Sequence, residues 1–228
     1  MAIAIVGDRN DAYVTHRATD EAFARLGASI QWVPTPDVLV DPEALGAFVG
    51  LVISSGSPYA SMAGALAAIT YARRRRVPLL GMCGGFQHVV VEYARNVLGI
   101  ESAEHAETSP DAAECVISPL ACSLEGEEHI VQIEPDSLAG RLYGRTETIE
   151  PYFCNYGLNK SYLEALEAAG LRFSGHDDVG ERIVELSQED HPFFLATLYV
   201  PQASTRQLRH PLLVGFLDAC RVANPTMA

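Results

Sequence analysis

The sequence predicts an α/β fold with a mostly parallel central sheet, flanking helices and a small antiparallel strand region. Up to Gly99, short apolar runs alternate with amphipathic helical patterns that end in glycine. Such alternation is typical of a parallel sheet covered on both faces. After Gly99 the apolar runs shorten and Pro, Asp and Gly separate them, which is typical of antiparallel strands. A length of 228 residues suits one domain, which we expect to span 1–228.

The first part of the chain supplies the predicted parallel strands. These are the apolar runs "IAIVG", "SIQWVP", "GLVISSGSPY" and "VPLLGM". The helical patterns between and after them are "HRATDEAFARLG", "GALAAITYARRRR" and "GFQHVVVEYARNVLG". Ligands bind beyond the carboxyl ends of strands in such sheets, and the loops with Gly56 and Cys83 lie at that end. The arginine run 73–76 is expected to close a helix, where cations meet the negative end of the helix dipole.

The second part of the chain predicts shorter elements. The expected strands are "AECVISP", "EHIVQIEP" and "RTETIEPYF", followed by the amphipathic helix "SYLEALEAAG". "LRFSG" and "RIVELS" resemble a hairpin, "PFFLATLYVP" reads as a last strand, and "HPLLVGFLDACRVA" as a closing helix.

Composition and missing motifs exclude several classes of function. The net charge of −13 argues against nucleic acid or an anionic membrane as the main partner. The N-terminus lacks a basic signal-peptide region and no apolar run reaches bilayer length, so we expect a cytoplasmic protein away from membranes. The cysteines form no CxxC pair, so neither a metal site nor a disulfide framework is expected. GxxxxGK[ST] and GxGxxG motifs are absent, and no cofactor is predicted.

Cys83 stands in "GMCGGFQ", between an apolar strand and a long helical pattern. The positive end of a helix favours a thiolate at this position. Gly84 and Gly85 allow a tight turn, so that a backbone N–H can point at a developing oxyanion. This pattern favours a nucleophile on a sharp elbow. A buried structural cysteine at a tight turn lined by small residues would give the same pattern.

The elbow and its helix resemble a known family. "GMCGGFQ" followed by "VVVEYARNVLG" is similar to the class I glutamine amidotransferases, in the form of the CTP synthase glutaminase domain. Further motifs with counterparts in the same order are "DAY", "AAITYAR", "SLAGRLYG", "YLEALEAAGLRFSG" and "HPFFLAT". The resemblance implies a flavodoxin-like fold over nearly the whole chain and amide hydrolysis by a cysteine. The synthetase half has no counterpart here, so we do not expect a complete CTP synthase.

The resemblance also implies roles for individual residues. Cys83 falls on the family's nucleophile, while Gly84 and Gly56 fall on the two sources of oxyanion-hole N–H groups. Gln87 matches the glutamine of the elbow. Glu107 matches the carboxylate that pairs with the α-amino group of glutamine, although an exposed loop acid is the alternative interpretation.

The sequence departs from the family at the triad. Where the family has a histidine and a glutamate around a proline, this chain has Val200 and Gln202 around Pro201. Valine cannot accept a proton, and glutamine cannot hold an imidazolium. His191 matches a histidine that precedes the last strand in the family, and we expect it to be structural.

The arginine with which the family binds the α-carboxylate of glutamine is also changed. Asn155 replaces the family's last arginine in this segment, and Tyr156 keeps the tyrosine that follows it. Asparagine cannot make the bidentate charged pair of a guanidinium, which costs on the order of 2 kcal/mol. We therefore expect L-glutamine to bind poorly and the substrate to be another small molecule that carries an amine.

A replacement base would have to come from elsewhere. The candidates are His88, with Glu92 one turn later to orient it, and His105 and His129 on strand ends or loops. For His88, a buried or capping histidine is the alternative interpretation, and the pattern does not fix the positions of His105 and His129. Glu92 and Arg95 also match the family, and helix packing explains them equally well.

Three functions stay open on the sequence alone. The first is cysteine-dependent cleavage of a C–N bond, since cysteine depends least of the nucleophiles on a base. The second is a catalytically inactive protein that binds a metabolite or a partner. The third is thiol redox chemistry at Cys83 with Cys154 as the resolving thiol. Cys115, Cys122 and Cys220 are expected to be buried small hydrophobes. The resemblance implies a homo-oligomer or a synthase-type partner protein.

Overall fold

The N-terminal half of the chain forms parallel strands covered by helices, in a computed structural model that describes residues 2–223. Its strands are β1 (Ala2–Val6), β2 (Ser29–Val33), β3 (Leu51–Ile53) and β4 (Leu79–Met82). Its helices are α1 (Val14–Arg25), α2 (Thr35–Val40), α3 (Met62–Arg75) and α4 (Gly84–Asn96). The first residue and residues 224–228 of the predicted domain lie outside the described part.

The C-terminal half supplies shorter strands and further helices. The strands are β5 (Ala103–His105), β6 (Glu114–Pro119), β7 (Glu128–Ile133), β8 (Glu147–Pro151), β9 (Tyr156–Leu158), β10 (Arg172–His176), β11 (Glu181–Glu185) and β12 (Phe194–Thr197). The helices are α5 (Leu138–Tyr143), α6 (Leu163–Ala168) and α7 (Pro211–Ala223). Short 3₁₀ turns lie at Pro42–Ala47, Lys160–Tyr162 and Pro201–Ala203.

A nine-stranded sheet in the order β2-β1-β3-β4-β12-β11-β10-β7-β8 organises the fold. The pairs from β2 to β12 are parallel, and those from β12 to β8 are antiparallel. The α/β class is therefore confirmed, as is the hairpin of β10 and β11. Most of the antiparallel strands extend the main sheet instead of standing apart from it, and β5, β6 and β9 form a second sheet.

The middle of the sheet is the most deeply buried part of the structure. All residues of β3, β4 and β12 are buried. The first residue after β4 is Cys83, so the rigid centre of the sheet sets the position of this cysteine. Within residues 2–223, every helix is too short or too polar to span a bilayer.

The arginine run closes α3, as predicted, and fastens it to α4. Arg76 adopts a left-handed conformation just after the helix. Arg73 makes an ion pair of 2.7 Å with Glu92 of α4, whose side chain is fully buried. Glu92 also accepts hydrogen bonds from Thr70 and Asn96. Glu92 thus holds two helices together, and the hypothesis that it orients His88 is wrong.

Replacing Glu92 with glutamine should destabilise the protein by about 3 kcal/mol, since Arg73 would lose a buried partner. Urea denaturation measures this change. The matched control is Glu43→Gln, because Glu43 pairs with Arg75 on the surface, where both side chains are more than half exposed and ion pairs contribute about 0–1 kcal/mol. Equal losses in the two variants would contradict a buried structural role for Glu92.

Candidate active site

Cys83 occupies a strained turn between β4 and α4. Its φ of 53° and ψ of −105° are uncommon for a residue with a side chain. The Cys83 N–H donates to the Thr197 carbonyl of β12 at 2.8 Å, which ties the turn to the neighbouring strand. A Cβ atom on Gly85 would lie 2.4 Å from the Ile53 carbonyl oxygen, so glycine is required there. Strain of this kind is concentrated at functional sites.

Cys83 faces a cavity of about 340 Å³ beyond the carboxyl ends of the parallel strands. The cavity brings together most of the residues singled out from the sequence, namely Gly56, Cys83, Gln87, Glu107, Asn155 and Tyr156. It is also lined by Ala12, Tyr13, Val14, Thr15, Ser55, Ser57, Glu125, Phe153 and Cys154. Gly84 starts α4 next to Cys83, and a Cβ atom on it would lie 3.1 Å from the Ser57 Cβ.

The loop after β3 approaches the elbow through Gly56. Gly56 has a φ of 94°, and a Cβ atom there would lie 2.6 Å from Nε2 of His16. His16 Nε2 donates to the Ser55 carbonyl at 2.9 Å, while its Nδ1 accepts from the Asn10 N–H at 3.0 Å. Burial lowers the pKa of His16. His16 therefore acts as a neutral brace for this loop. No sequence pattern indicates this role, because one histidine in a helical pattern looks like any other.

A network of hydrogen bonds positions the polar side of the cavity. Ser57 Oγ donates to Glu107 Oε2 at 3.0 Å and lies 3.2 Å from Gln87 Oε1. Gln87 Nε2 donates to the Tyr156 carbonyl at 2.9 Å. His105 Nε2 donates to Gln87 Oε1 at 3.1 Å, and its Nδ1 accepts from the Glu107 N–H. Gln87 therefore joins the elbow helix to the Tyr156 strand, and the half-buried Glu107 is held at the cavity wall.

The three histidines considered as a replacement base do not line the cavity. His88 is buried, donates from Nδ1 to the Gly84 carbonyl at 2.8 Å, and stacks on His105 with 5.5 Å between ring centroids. Burial lowers the pKa of His88 to about 4 and that of His105 to about 3. His129 lies on β7 against the ring of Tyr152. In the described residues, no histidine forms a hydrogen bond with Cys83.

Acid should destabilise the protein, because His88 and His105 are buried in their neutral form. His88 is neutral when folded down to about pH 4, whereas an unfolded histidine takes up a proton below about pH 6.5. The free energy of unfolding should therefore fall as the pH falls from 6.5 towards 4, by up to about 3 kcal/mol for His88. Urea denaturation at about pH 7 and about pH 4.5 should show a smaller loss for His88→Gln than for the wild type. An equal loss in both proteins would contradict this assignment.

The positions that match the family's histidine and glutamate carry other groups. Val200 is fully buried, and its N–H donates to the Pro151 carbonyl at 2.9 Å. Gln202 is buried in the 3₁₀ turn after it, and its Nε2 donates to Ser55 Oγ at 3.4 Å. Neither side chain lines the cavity. Gln202 thus supports the loop that carries Gly56.

A second thiol accompanies Cys83 at the cavity wall. Cys83 Sγ lies 3.6 Å from the Phe153 carbonyl oxygen, and Cys154 follows Phe153 in the chain. Hydrogen bonding to Cys83, and then burial, raise the pKa of Cys154. Among the other thiols, Cys220 is buried and Cys115 is half-buried. The prediction that Cys122 is buried is wrong, because the residue lies on an exposed bend between β6 and β7.

Charge in the cavity is one-sided. Glu107 and Glu125 are the charged residues in its lining, which contains no lysine, arginine or histidine among the described residues. Asn155 is exposed at the rim, where its backbone carbonyl accepts from the Leu120 N–H at 2.8 Å. The cavity therefore favours a cation and offers no charged partner to a carboxylate.

Comparison with known proteins gives a consistent set of relatives. The family model for glutamine amidotransferase class-I matches residues 10–218. A CTP synthase of Haloarcula hispanica is 37% identical over 95% of this chain and 42% of its own length. A CTP synthase of Rhodococcus jostii is 36% identical over 96% of this chain and 41% of its own length. This chain therefore spans less than half the length of these relatives.

Solved structures agree with this relationship. The glutaminase domain of Trypanosoma brucei CTPS with bound acivicin superposes with a TM-score of 0.85, at 25% identity, over 97% of this chain and 94% of that one. A glutamine amidotransferase from Thermotoga maritima shares the fold, with a TM-score of 0.59 at 10% identity over 99% of this chain and 84% of that one. The chain belongs to the class I glutamine amidotransferase family, and its known relatives include the glutaminase domain of CTP synthase.

Proposed function

We propose that this chain hydrolyses the C–N bond of a small amide that carries an amine, with Cys83 as the nucleophile. Gly84 supplies one oxyanion-hole N–H, and the loop of Gly56 supplies the other. The observation that carries the proposal is the strained elbow, which places a cysteine with a positive φ on a cavity walled by acids. Membership of a family related to glutaminase domains supports the same class of reaction.

The reaction has two halves. The Cys83 thiolate attacks the amide carbonyl carbon, and the negative charge that develops on the oxygen faces the backbone N–H groups. The C–N bond then breaks, the amide nitrogen takes a proton from water and leaves as ammonia, and a thioester remains on Cys83. Water attacks the thioester, which releases a carboxylic acid and restores the thiol. Cysteine depends least of the nucleophiles on a base, so the reaction can proceed without a histidine in contact with Cys83.

The charge of the cavity sets the class of substrate. The ammonium group of the substrate pairs with Glu107, whose carboxylate accepts a hydrogen bond from Ser57 Oγ at 3.0 Å. A free α-carboxylate would meet Glu107 and Glu125 with no cation in the lining. Burying an unpaired anion costs several kcal/mol. The substrate is therefore an amide that bears an amine and lacks a free α-carboxylate, such as a decarboxylated or amidated relative of glutamine.

Thermal-shift measurements with a matched set of ligands test this function. We expect 4-aminobutyramide and glutamine α-amide to raise the melting temperature, and L-glutamine at the same concentration to leave it unchanged. Release of ammonia should follow the same order. Glu107→Gln should abolish the stabilisation, whereas the exposed acid variant Glu43→Gln should keep it. Stabilisation by L-glutamine alone would contradict the proposed pocket.

An inactive binding protein is the second candidate, favoured by the apolar Val200 and the amide of Gln202 at the positions of the family's base and acid. The two candidates differ in one result. A binding protein would show the thermal shift without releasing ammonia. That the chain forms a homo-oligomer or binds a synthase-type partner protein stays a prediction. Light scattering on the purified chain tests for the homo-oligomer.

A further inference from the structure

The hydrolysis step gives no role to the second thiol at the cavity wall, that of Cys154. Cys83 and Cys154 are 5% and 4% exposed, and both line the same cavity. The backbone brings them together, because the Cys83 sulfur lies 3.6 Å from the carbonyl of the residue that precedes Cys154. On its other side, Cys154 Sγ lies 3.6 Å from the Leu198 carbonyl oxygen. Two thiols therefore line one cavity, and the backbone next to Cys154 lies against the sulfur of Cys83.

We propose that Cys83 and Cys154 are a redox pair, which a hydroperoxide converts into a disulfide and a dithiol converts back. This activity goes beyond amide hydrolysis and does not depend on it. The pair differs from a solitary reactive cysteine, since the partner thiol is already in place inside the same cavity.

The hydroperoxide is the oxidant and the dithiol is the reductant, and with them each step of the cycle balances. The Cys83 thiolate attacks the terminal oxygen of the hydroperoxide, the O–O bond breaks, and an alcohol or water leaves with a proton. Cys83 is then a sulfenic acid. The Cys154 sulfur attacks the Cys83 sulfur, a disulfide forms and water leaves. A dithiol reductant restores both thiols by two exchange steps and is itself oxidised to a disulfide.

The roles of the two thiols are unequal. Hydrogen bonding to Cys83 and burial raise the pKa of Cys154, so Cys154 stays protonated beside its neighbour. Cys83, in contrast, stands on the strained turn at the start of α4. Cys83 is therefore the sulfur that meets the oxidant, and Cys154 is the one that resolves it.

The other cysteines are placed away from this pair. Cys115 lies 3.4 Å from the carbonyl oxygens of Ser109 and Ala112. Cys220 is on α7, where a Cβ atom on Gly50 would lie 2.3 Å from its sulfur. Cys122 is exposed on its bend. None of the three lines the cavity of Cys83.

Peptide mapping of the whole chain tests the redox pair. The reduced protein is treated with hydrogen peroxide, its remaining thiols are alkylated, and the digest is read by mass spectrometry. We expect a linked peptide that joins Cys83 to Cys154, and its loss after treatment with dithiothreitol. Oxidation should also protect both cysteines from alkylation. Because mass is the readout, the result is independent of whether the protein cleaves amides.

Variants separate this pairing from general oxidation. In Cys154→Ser and Cys154→Ala, the linked peptide should disappear and Cys83 should accumulate as sulfinic acid. Cys122→Ser is the matched control and should retain the linked peptide. The proposal would be overturned if wild-type Cys83 accumulated as sulfinic acid with no link to Cys154. A link from Cys83 to another cysteine would also overturn it.

Discussion

Replacing Cys83 with alanine is expected to lower the hydrolysis of the amine-bearing amide by at least about 10³-fold, because the reaction loses its nucleophile. Ligand binding should survive, since Glu107 and its hydrogen bond from Ser57 do not involve the sulfur. The measurement is ammonia release together with the thermal shift for 4-aminobutyramide. Cys83→Ser gives the conservative test, as it keeps a hydrogen-bonding group on the same strained turn.

The control for this substitution is another cysteine. Cys122→Ser changes an exposed thiol outside the cavity and should retain wild-type activity. Full activity in Cys83→Ala would assign the chemistry to a different group and contradict the proposed mechanism. Loss of both activity and ligand binding would instead indicate that the cavity had collapsed, which the melting temperature of the free variant reveals.

Restoring the residues of the family is expected to give the largest gain of activity. The triple variant Val200→His, Gln202→Glu and Asn155→Arg should hydrolyse L-glutamine at least about 10²-fold faster than the wild type, the typical contribution of a general base. The base and its carboxylate would act on Cys83, and the guanidinium would pair with the α-carboxylate. The test is the rate of ammonia release from L-glutamine, compared with that from 4-aminobutyramide.

Partial variants separate the contributions of these three positions. Asn155→Arg alone should lower KM for L-glutamine, because the exposed rim position changes only binding. Val200→His with Gln202→Glu should raise kcat, provided that the fully buried site of Val200 accepts the larger ring. The melting temperature of this double variant shows whether the site accepts the histidine ring. A stable triple variant with no gain on L-glutamine would show that these positions do not control the reaction.

The long elements could be predicted from sequence because their patterns are local. Parallel strands such as β4 and long helices such as α4 have clear periodicity, and the elbow motif located Cys83. The three-residue β9 and the six-residue α2 are too short for a periodic signal. Strand pairing also depends on distant residues, so the junction of β12 with β11 could not be deduced from either strand alone.

The side-chain network of the site was less accessible to sequence reasoning. Helical spacing puts Glu92 one turn from His88, but the ion-pair partner of Glu92 is Arg73 on another helix. His16 braces the Gly56 loop through a carbonyl 39 residues away, which no local pattern reveals. The closeness of Cys83 and Cys154 depends on a segment 70 residues downstream of the elbow. Such contacts follow from the tertiary fold and become visible only with it.

Labelling with a mechanism-based electrophile shows directly whether Cys83 is the nucleophile of the cavity. A diazomethyl ketone that carries an amine but no carboxylate places its carbonyl where the amide would lie, and peptide mapping locates the bond that forms. We expect a single adduct on Cys83, formed faster than with the carboxylate-bearing glutamine analogue and suppressed by 4-aminobutyramide. An adduct on Cys154 or Cys122 with Cys83 unmodified, or faster labelling by the carboxylate-bearing analogue, would contradict it.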